Sequence, residues 1–96
     1  MGSKHIGLWI AIGALASTLA VGAPRDLLQQ GKALHDAHCL RCHDTTIYTR
    51  KDRKIHTPAE LEAQVARCAA GPADVQWSQR QINAVATYLQ QDFYHF

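Results

Sequence analysis

The sequence predicts an all-α fold with about three main helices. In segments 27–38 and 82–96, residues that would share one face of a helix recur at helical spacing. The pattern of a helix N-terminal capping box occurs twice, in "TPAE" from Thr57 and in "SQRQ" from Ser78. No stretch of strand length alternates apolar and polar residues, so no sheet is expected.

Residues 1–22 have the features of a secretory signal peptide. A short cationic start is followed by an uncharged, mostly apolar run and then by small residues. We expect cleavage near residues 20–23, which leaves residues 23–96 as one exported, periplasmic domain. The alternative is an uncleaved membrane anchor, because residues 6–23 form an uncharged stretch of 18 residues. Removal is favoured because this run is rich in glycine, alanine, serine and threonine.

Size and charge restrict the class of protein. A mature chain of about 75 residues has a core that barely offsets the entropy of the unfolded chain, so we expect a metal, a cofactor or a partner to stabilise it. From residue 24 onward the chain has nine Lys or Arg and eight Asp or Glu residues. This balance indicates no general nucleic-acid-binding or membrane-binding surface.

The first predicted helix runs through Gly31 into "HCLRCH", which contains Cys39, Cys42 and His43. A C-x-x-C-H motif behind an export signal is typical of covalent haem attachment. Two thiols at this spacing reach the two vinyl groups on one porphyrin edge, and the next imidazole becomes the proximal ligand of the iron. The alternatives are a thioredoxin-like redox pair, which needs a βαβ context, and half of a zinc site, which needs a second ligand pair. The sequence provides neither context.

Two more helices are predicted after the motif. One begins with Thr57 as N-cap and Pro58 at the first helical position, and it ends before Gly71. The last follows Ser78, and its apolar stripe continues to Phe96. A buried haem c would supply much of the apolar surface around which these helices pack. We therefore expect the apoprotein to be largely unfolded.

Three features, Gly31, "CLRCH" and "INAVATYL" in the last helix, together resemble a small class I cytochrome c. The resemblance covers most of residues 25–92, and the haem motif is its most specific part. It implies helices packed around one covalently bound haem, with His43 as the proximal ligand. It also implies that Gly31 lets the terminal helix cross closely, beside an aromatic residue such as Tyr88.

The distal ligand of the iron must differ from the one that is usual in that family. Class I cytochromes usually use a methionine, but the only methionine is Met1. Cys68 is favoured instead, because Leu61, Val65 and Cys68 share the apolar face of the second predicted helix. The alternatives are an open or water-bound iron, then His56, which lies just before that helix and is the best placed of the histidines, and then a lysine. A buried, purely structural Cys68 and an intermolecular disulfide also stay open.

The pair of His43 in "CLRCH" and Cys68 in "VARC" is similar to the ligand pair of a narrower group. That group is the small exported monohaem cytochromes with His/Cys ligation, including the NaxLS-type heterodimers of nitrogen-cycle bacteria. The similarity implies paired subunits and binding of NO or CO. A thiolate ligand favours ferric iron, so ligation by Cys68 predicts a low-potential haem.

Two functions follow from these predictions. The first is one-electron transfer with a redox partner protein, for which a single haem is sufficient. Residues 48–54, "YTRKDRK", either steer an acidic partner or form an ordinary solvated loop. The second function is binding or sensing of NO or CO, with the helix of Cys68 as the moving element. An enzyme is the least expected class, because no general acid or base pair occurs at recognisable spacing.

Aromatic residues near the C-terminus predict a contact surface. The segment "DFYHF" carries Phe93, Tyr94 and Phe96. Exposed aromatic side chains mark interfaces, so a homo- or heterodimer is expected. The alternative is that Phe93 and Phe96 continue the inward stripe of the last helix. Trp77 is expected to pack beside the haem or its propionates, or otherwise to belong to the core.

Overall fold

The computed structural model describes residues 25–96, and the regular secondary structure in this range is helical throughout. The predicted signal peptide, residues 1–22, lies outside the described residues. The elements in chain order are α1 (Arg25–His38), α2 (Thr46–Thr49), α3 (Pro58–Ala70), α4 (Gln79–Leu89) and a π-helical segment (Gln90–Tyr94). The all-α prediction is confirmed for this part of the chain, with α1, α3 and α4 as the main helices. A helix with the length and apolar character needed to span a membrane does not occur within residues 25–96.

The most extensive contact between helices is that of α1 with α4, which cross at Gly31. A Cβ atom added to Gly31 would lie 2.0 Å from the carbonyl oxygen of Ala84 and 2.9 Å from Cβ of Tyr88. No side-chain atom fits at the first of these distances, and the obstacle is backbone rather than a flexible side chain. A glycine is therefore required for the two helices to approach this closely.

The predicted capping residues begin both α3 and α4. The Thr57 hydroxyl accepts a hydrogen bond from the Glu60 N–H at 3.1 Å, and the Glu60 carboxylate accepts from the His56 N–H at 2.8 Å. At α4, Oγ of Ser78 accepts from the Gln81 N–H at 3.2 Å, while the Gln81 side chain accepts from the Ser78 N–H at 2.8 Å. These bonds satisfy donors that a helix N-terminus leaves without intrahelical partners.

The end of the last helix differs from the sequence-based expectation. The α-helix stops at Leu89, the chain continues as the π-helical segment, and His95 then takes a left-handed conformation with φ of 56°. This change of winding turns Tyr94 into the core and leaves Phe96 38% exposed. The apolar stripe therefore does not run regularly to Phe96.

The core lies where α1, α3 and α4 meet the short helix α2 and the π-helical segment. Its buried residues form one cluster: Tyr48, Leu61, Val65, Val85, Tyr88, Leu89 and Tyr94. The imidazole of His35, which is 0% exposed, lies against the rings of Tyr48 and Tyr88. Aromatic contacts thus connect α1, α2 and α4 beside the aliphatic residues of α3.

Candidate cofactor site

A cavity of about 340 Å³ lies next to the C-terminal end of α1 and is walled by residues of α2, α3 and α4. Four residues predicted from the sequence line it: Cys39, Cys42, His43 and Cys68. Most of the remaining wall is apolar, and its aliphatic part consists of Ile47, Ile55, Leu61, Val65, Val85 and Leu89. The fold therefore brings the C-x-x-C-H motif and the third cysteine, which are distant in sequence, to one apolar cavity.

Helix α3 presents one face to this cavity. Leu61, Val65 and Cys68 all line it, which is the face that their helical spacing predicts. Leu61 and Val65 are buried in the core, whereas Cys68 is partly exposed. Burial of the two aliphatic residues fixes the rotation of α3 and so determines that the Cys68 sulfur faces the cavity.

The orientation of the His43 ring is determined by the loop that follows it. Nδ1 of His43 lies 3.0 Å from the backbone carbonyl of Asp44. Because a carbonyl only accepts, Nδ1 carries a proton and donates it to this bond. The Asp44 carboxylate in turn accepts from the N–H of Thr46 at 3.0 Å and from its hydroxyl, and these bonds lower the pKa of Asp44. The ring of His43 is thus oriented through Nδ1 by an anchored loop, which leaves Nε2 as the ring nitrogen available to a metal.

The sulfur of Cys68 has a hydrogen-bond donor on its own helix. Nε2 of Gln64 lies 3.2 Å from Sγ of Cys68, one helical turn earlier. The oxygen of the same amide accepts from Nη2 of Arg67 at 2.7 Å. Gln64 also lines the cavity. The cysteine therefore belongs to a short polar network within an otherwise apolar wall.

Burial and basic side chains set the electrostatics of the cavity. Burial raises the pKa of the Cys39 thiol, and the nearby Cys68 thiol adds to this effect. Burial also raises the pKa of the Tyr48 hydroxyl above its usual range. Arg50 and Lys54 contribute positive charge to the wall. The site thus combines an interior that favours uncharged groups with cations that suit the carboxylates of a bound group.

Two other residues predicted from the sequence lie outside this cavity. His56 is exposed, and its backbone N–H caps α3 through Glu60. Trp77 packs edge-on against the ring of His38, with 5.9 Å between the ring centroids. His38 itself belongs to the cavity wall, so Trp77 is one side chain removed from it. Cys68 therefore lines the cavity, whereas His56, the histidine considered as the alternative distal ligand, does not.

Sequence reasoning missed two residues of the site, Tyr48 and Gln64. Tyr48 lines the cavity and its ring meets the ring of His43 edge-on, with 5.6 Å between centroids. Nothing in "TIYT" marks it, because α2 is too short to show a periodic pattern. Gln64 could have been found, since a residue four positions before Cys68 shares its side of a helix.

No match was found when the chain was compared with models of protein families, with curated proteins and with solved structures. Within residues 25–96, no group of three or more His, Cys, Asp or Glu side chains is arranged as a metal-binding cluster. The properties of the site therefore have to be judged from its own residues.

Proposed function

We propose that this protein is an exported c-type cytochrome of the class I type that transfers single electrons at low potential. Haem c would be attached through Cys39 and Cys42, with His43 and Cys68 as the axial ligands. The observation that carries the proposal is the convergence of the C-x-x-C-H motif and Cys68 on one apolar cavity. The glycine-dependent crossing of α1 and α4 beside Tyr88 supports the class I fold.

The residues of the cavity fit a haem chemically. Two thiols at C-x-x-C spacing, an imidazole oriented through Nδ1 and an aliphatic wall are the groups that such a cofactor needs. The volume falls at the lower end of the range for ligand pockets, about 300–1,000 Å³. Arg50 and Lys54 offer partners for propionate carboxylates. When bound, haem c supplies a one-electron redox centre.

The chain's own residues explain the proposed low potential. The Cys68 thiolate donates negative charge to the iron, which favours the ferric state. The side chains of Leu61, Val65 and Val85 give the proposed ligands an apolar surrounding. Electron transfer rather than catalysis is proposed because the sequence offers no general acid or base pair at recognisable spacing.

The first experiment tests attachment and ligation together. The purified holoprotein should carry one haem that resists acid extraction, and Cys39→Ser with Cys42→Ser should carry none. The ferric protein should show a low-spin thiolate signature by EPR and absorption, and Cys68→Ala should lose it. His56→Ala is the matched control and should leave the spectrum unchanged. An unchanged spectrum in Cys68→Ala would contradict His43/Cys68 ligation, and a changed spectrum in His56→Ala would indicate His56 as the distal ligand.

A second candidate function is binding of NO or CO. Helix α3, which carries Cys68, packs on α4 much less extensively than α1 does. A ligand on the less firmly held helix is easier to displace, particularly from ferrous iron, which holds thiolate less well. Addition of CO to the dithionite-reduced holoprotein should then shift its absorption bands. A reduced spectrum that CO does not alter would exclude this function.

Export and partners complete the proposal. Residues 1–22 support a periplasmic location, and Arg50 and Lys54 support an acidic redox partner.

A homo- or heterodimer through the C-terminal aromatics would depend on Phe96, because Tyr94 is buried in its own subunit and Phe96 is 38% exposed. Light scattering of the purified protein at high concentration tests this, and a monomer with an intact Phe96 would exclude the homodimer.

A further inference from the structure

The orientation of the Gln64 side-chain amide is determined by its two hydrogen-bond partners. The guanidinium of Arg67 can only donate, so the amide oxygen of Gln64 must face it. The NH₂ group of Gln64 then points at Sγ of Cys68, 3.2 Å away. The amide is therefore a donor to the sulfur, and a reversed amide would place its NH₂ group against the Arg67 guanidinium, two donors together.

We infer that Gln64 is a positioning residue that tunes the sulfur of Cys68 as an iron ligand. This inference rests on the proposed His43/Cys68 ligation. The N–H bond draws electron density from the sulfur, so less negative charge reaches the iron. It also restricts the side-chain rotamer of Cys68, because the sulfur must stay within reach of Nε2. Arg67 acts at one remove, by keeping the amide oriented.

The position of Gln64 supports this role over ordinary surface hydration. Gln64 is partly buried and lines the cavity, whereas Arg67 is exposed on the outer side of α3. The network thus runs from solvent to the cavity wall along a single turn of helix. Donors next to a ligand sulfur are among the features by which proteins set the potential of thiolate-bound metals.

The test compares reduction potentials of the holoproteins. Gln64→Leu removes the donor while keeping a side chain of similar bulk, and the potential should become more negative than that of the wild type. The EPR signal should remain low-spin with altered g-values. Gln29→Leu, the same change at an exposed site on α1, is the matched control and should leave both unchanged. Gln64→Glu, which keeps the shape and cannot donate when ionised, should lower the potential at least as much.

A double-mutant cycle with Cys68→Ala separates the inference from the proposal beneath it. In the Cys68→Ala background, Gln64→Leu should leave the potential and spectrum unchanged, because the sulfur is gone. If Cys68→Ala alone has the wild-type spectrum, ligation by Cys68 fails and the role of Gln64 fails with it. If Cys68→Ala changes the spectrum but neither Gln64 variant moves the potential, only the role of Gln64 is overturned. An equal shift in both backgrounds would also overturn it.

Discussion

The hydroxyl of Tyr48 lies 2.8 Å from Nε2 of His35, so a side chain of α2 is bonded to a fully buried imidazole of α1. The other ring nitrogen, Nδ1, lies 3.0 Å from Oδ1 of Asp36. Because the carboxylate accepts, the ring donates through Nδ1, and Nε2 is bonded to the Tyr48 hydroxyl. This chain of bonds attaches α2, and with it part of the cavity wall, to α1.

Removing the Tyr48 hydroxyl should destabilise the protein. In Tyr48→Phe, Nε2 of His35 stays buried without its hydrogen-bond partner, which costs about 1–3 kcal/mol of unfolding free energy. Chemical denaturation of the purified protein, followed by circular dichroism, measures the loss. Tyr88→Phe is the matched control, because its ring also contacts His35 but its hydroxyl is not bonded to that ring in the described structure. Equal effects of the two substitutions would contradict the importance of the bond.

Adding one methyl group at Gly31 should separate α1 from α4. The Cβ atom of Gly31→Ala would overlap the Ala84 carbonyl, so we expect a loss of about 3 kcal/mol or more, or failure to accumulate folded protein. Gly71→Ala serves as the control, since its Cβ would meet its nearest neighbour, the Arg67 carbonyl, at 3.1 Å. Thermal unfolding of both purified variants gives the comparison. A Gly31→Ala protein as stable as Gly71→Ala would mean that the helices can move apart at little cost.

Asp36 should make part of the stability dependent on pH. The Lys32 ammonium at 2.7 Å and the His35 ring at 3.0 Å hold the pKa of Asp36 below its usual value. With the lower pKa in the folded state, the stabilisation is complete above the unfolded pKa, about 3.9, and is lost as the pH falls through the folded pKa. Asp36→Asn should therefore be less stable than the wild type near neutrality, and the difference should narrow below about pH 4.

Denaturant unfolding at several pH values between neutrality and acid tests the role of Asp36. The side chain is 39% exposed, so solvent screens the interaction and the difference should be modest. Asp26→Asn, at the exposed start of α1, is the control. A difference between Asp36→Asn and the wild type that is the same at every pH would show that the carboxylate charge is not involved.

Arg53 should fasten the π-helical segment to the loop before α3. It donates to the carbonyl oxygens of Tyr48 at 3.2 Å and Tyr94 at 3.4 Å, and its guanidinium lies 4.9 Å from the centre of the Tyr94 ring. Arg53→Met should lower the unfolding free energy by about 1–2 kcal/mol. Lys51→Met, an exposed change in the same loop, should have little effect. Equal stability of the two variants in denaturant titrations would show that Arg53 does not help to hold Tyr94 in place.

The main helices could be predicted because their signals are local. The capping boxes at Thr57 and Ser78 and the helical spacing of Leu61 and Val65 depend on neighbours a few positions away. The change to π-helical winding after Leu89 has no such signal. It depends on packing of Tyr94 against Tyr48, which comes from a distant part of the chain.

The same distinction applies to the candidate site. The motif from Cys39 to His43 and the face that carries Cys68 could be read from spacing alone. Their convergence on one cavity could not, because it depends on how α3 packs on α4. The placement of Trp77 against His38 rather than in the cavity wall is likewise a matter of tertiary packing.

The close crossing at Gly31 and Ala84 has a consequence for the folding rate. Helices form within about a microsecond, but this contact joins residues of the first and last main helices, so a long loop must close before it forms. Contacts of such long range slow folding, and we expect docking of α1 on α4 to be a late step. A substitution at Ala84 that speeds unfolding and leaves refolding unchanged would support this order. With haem attachment through Cys39 and Cys42 as proposed, the haem would then be bound before the walls of the cavity close around it.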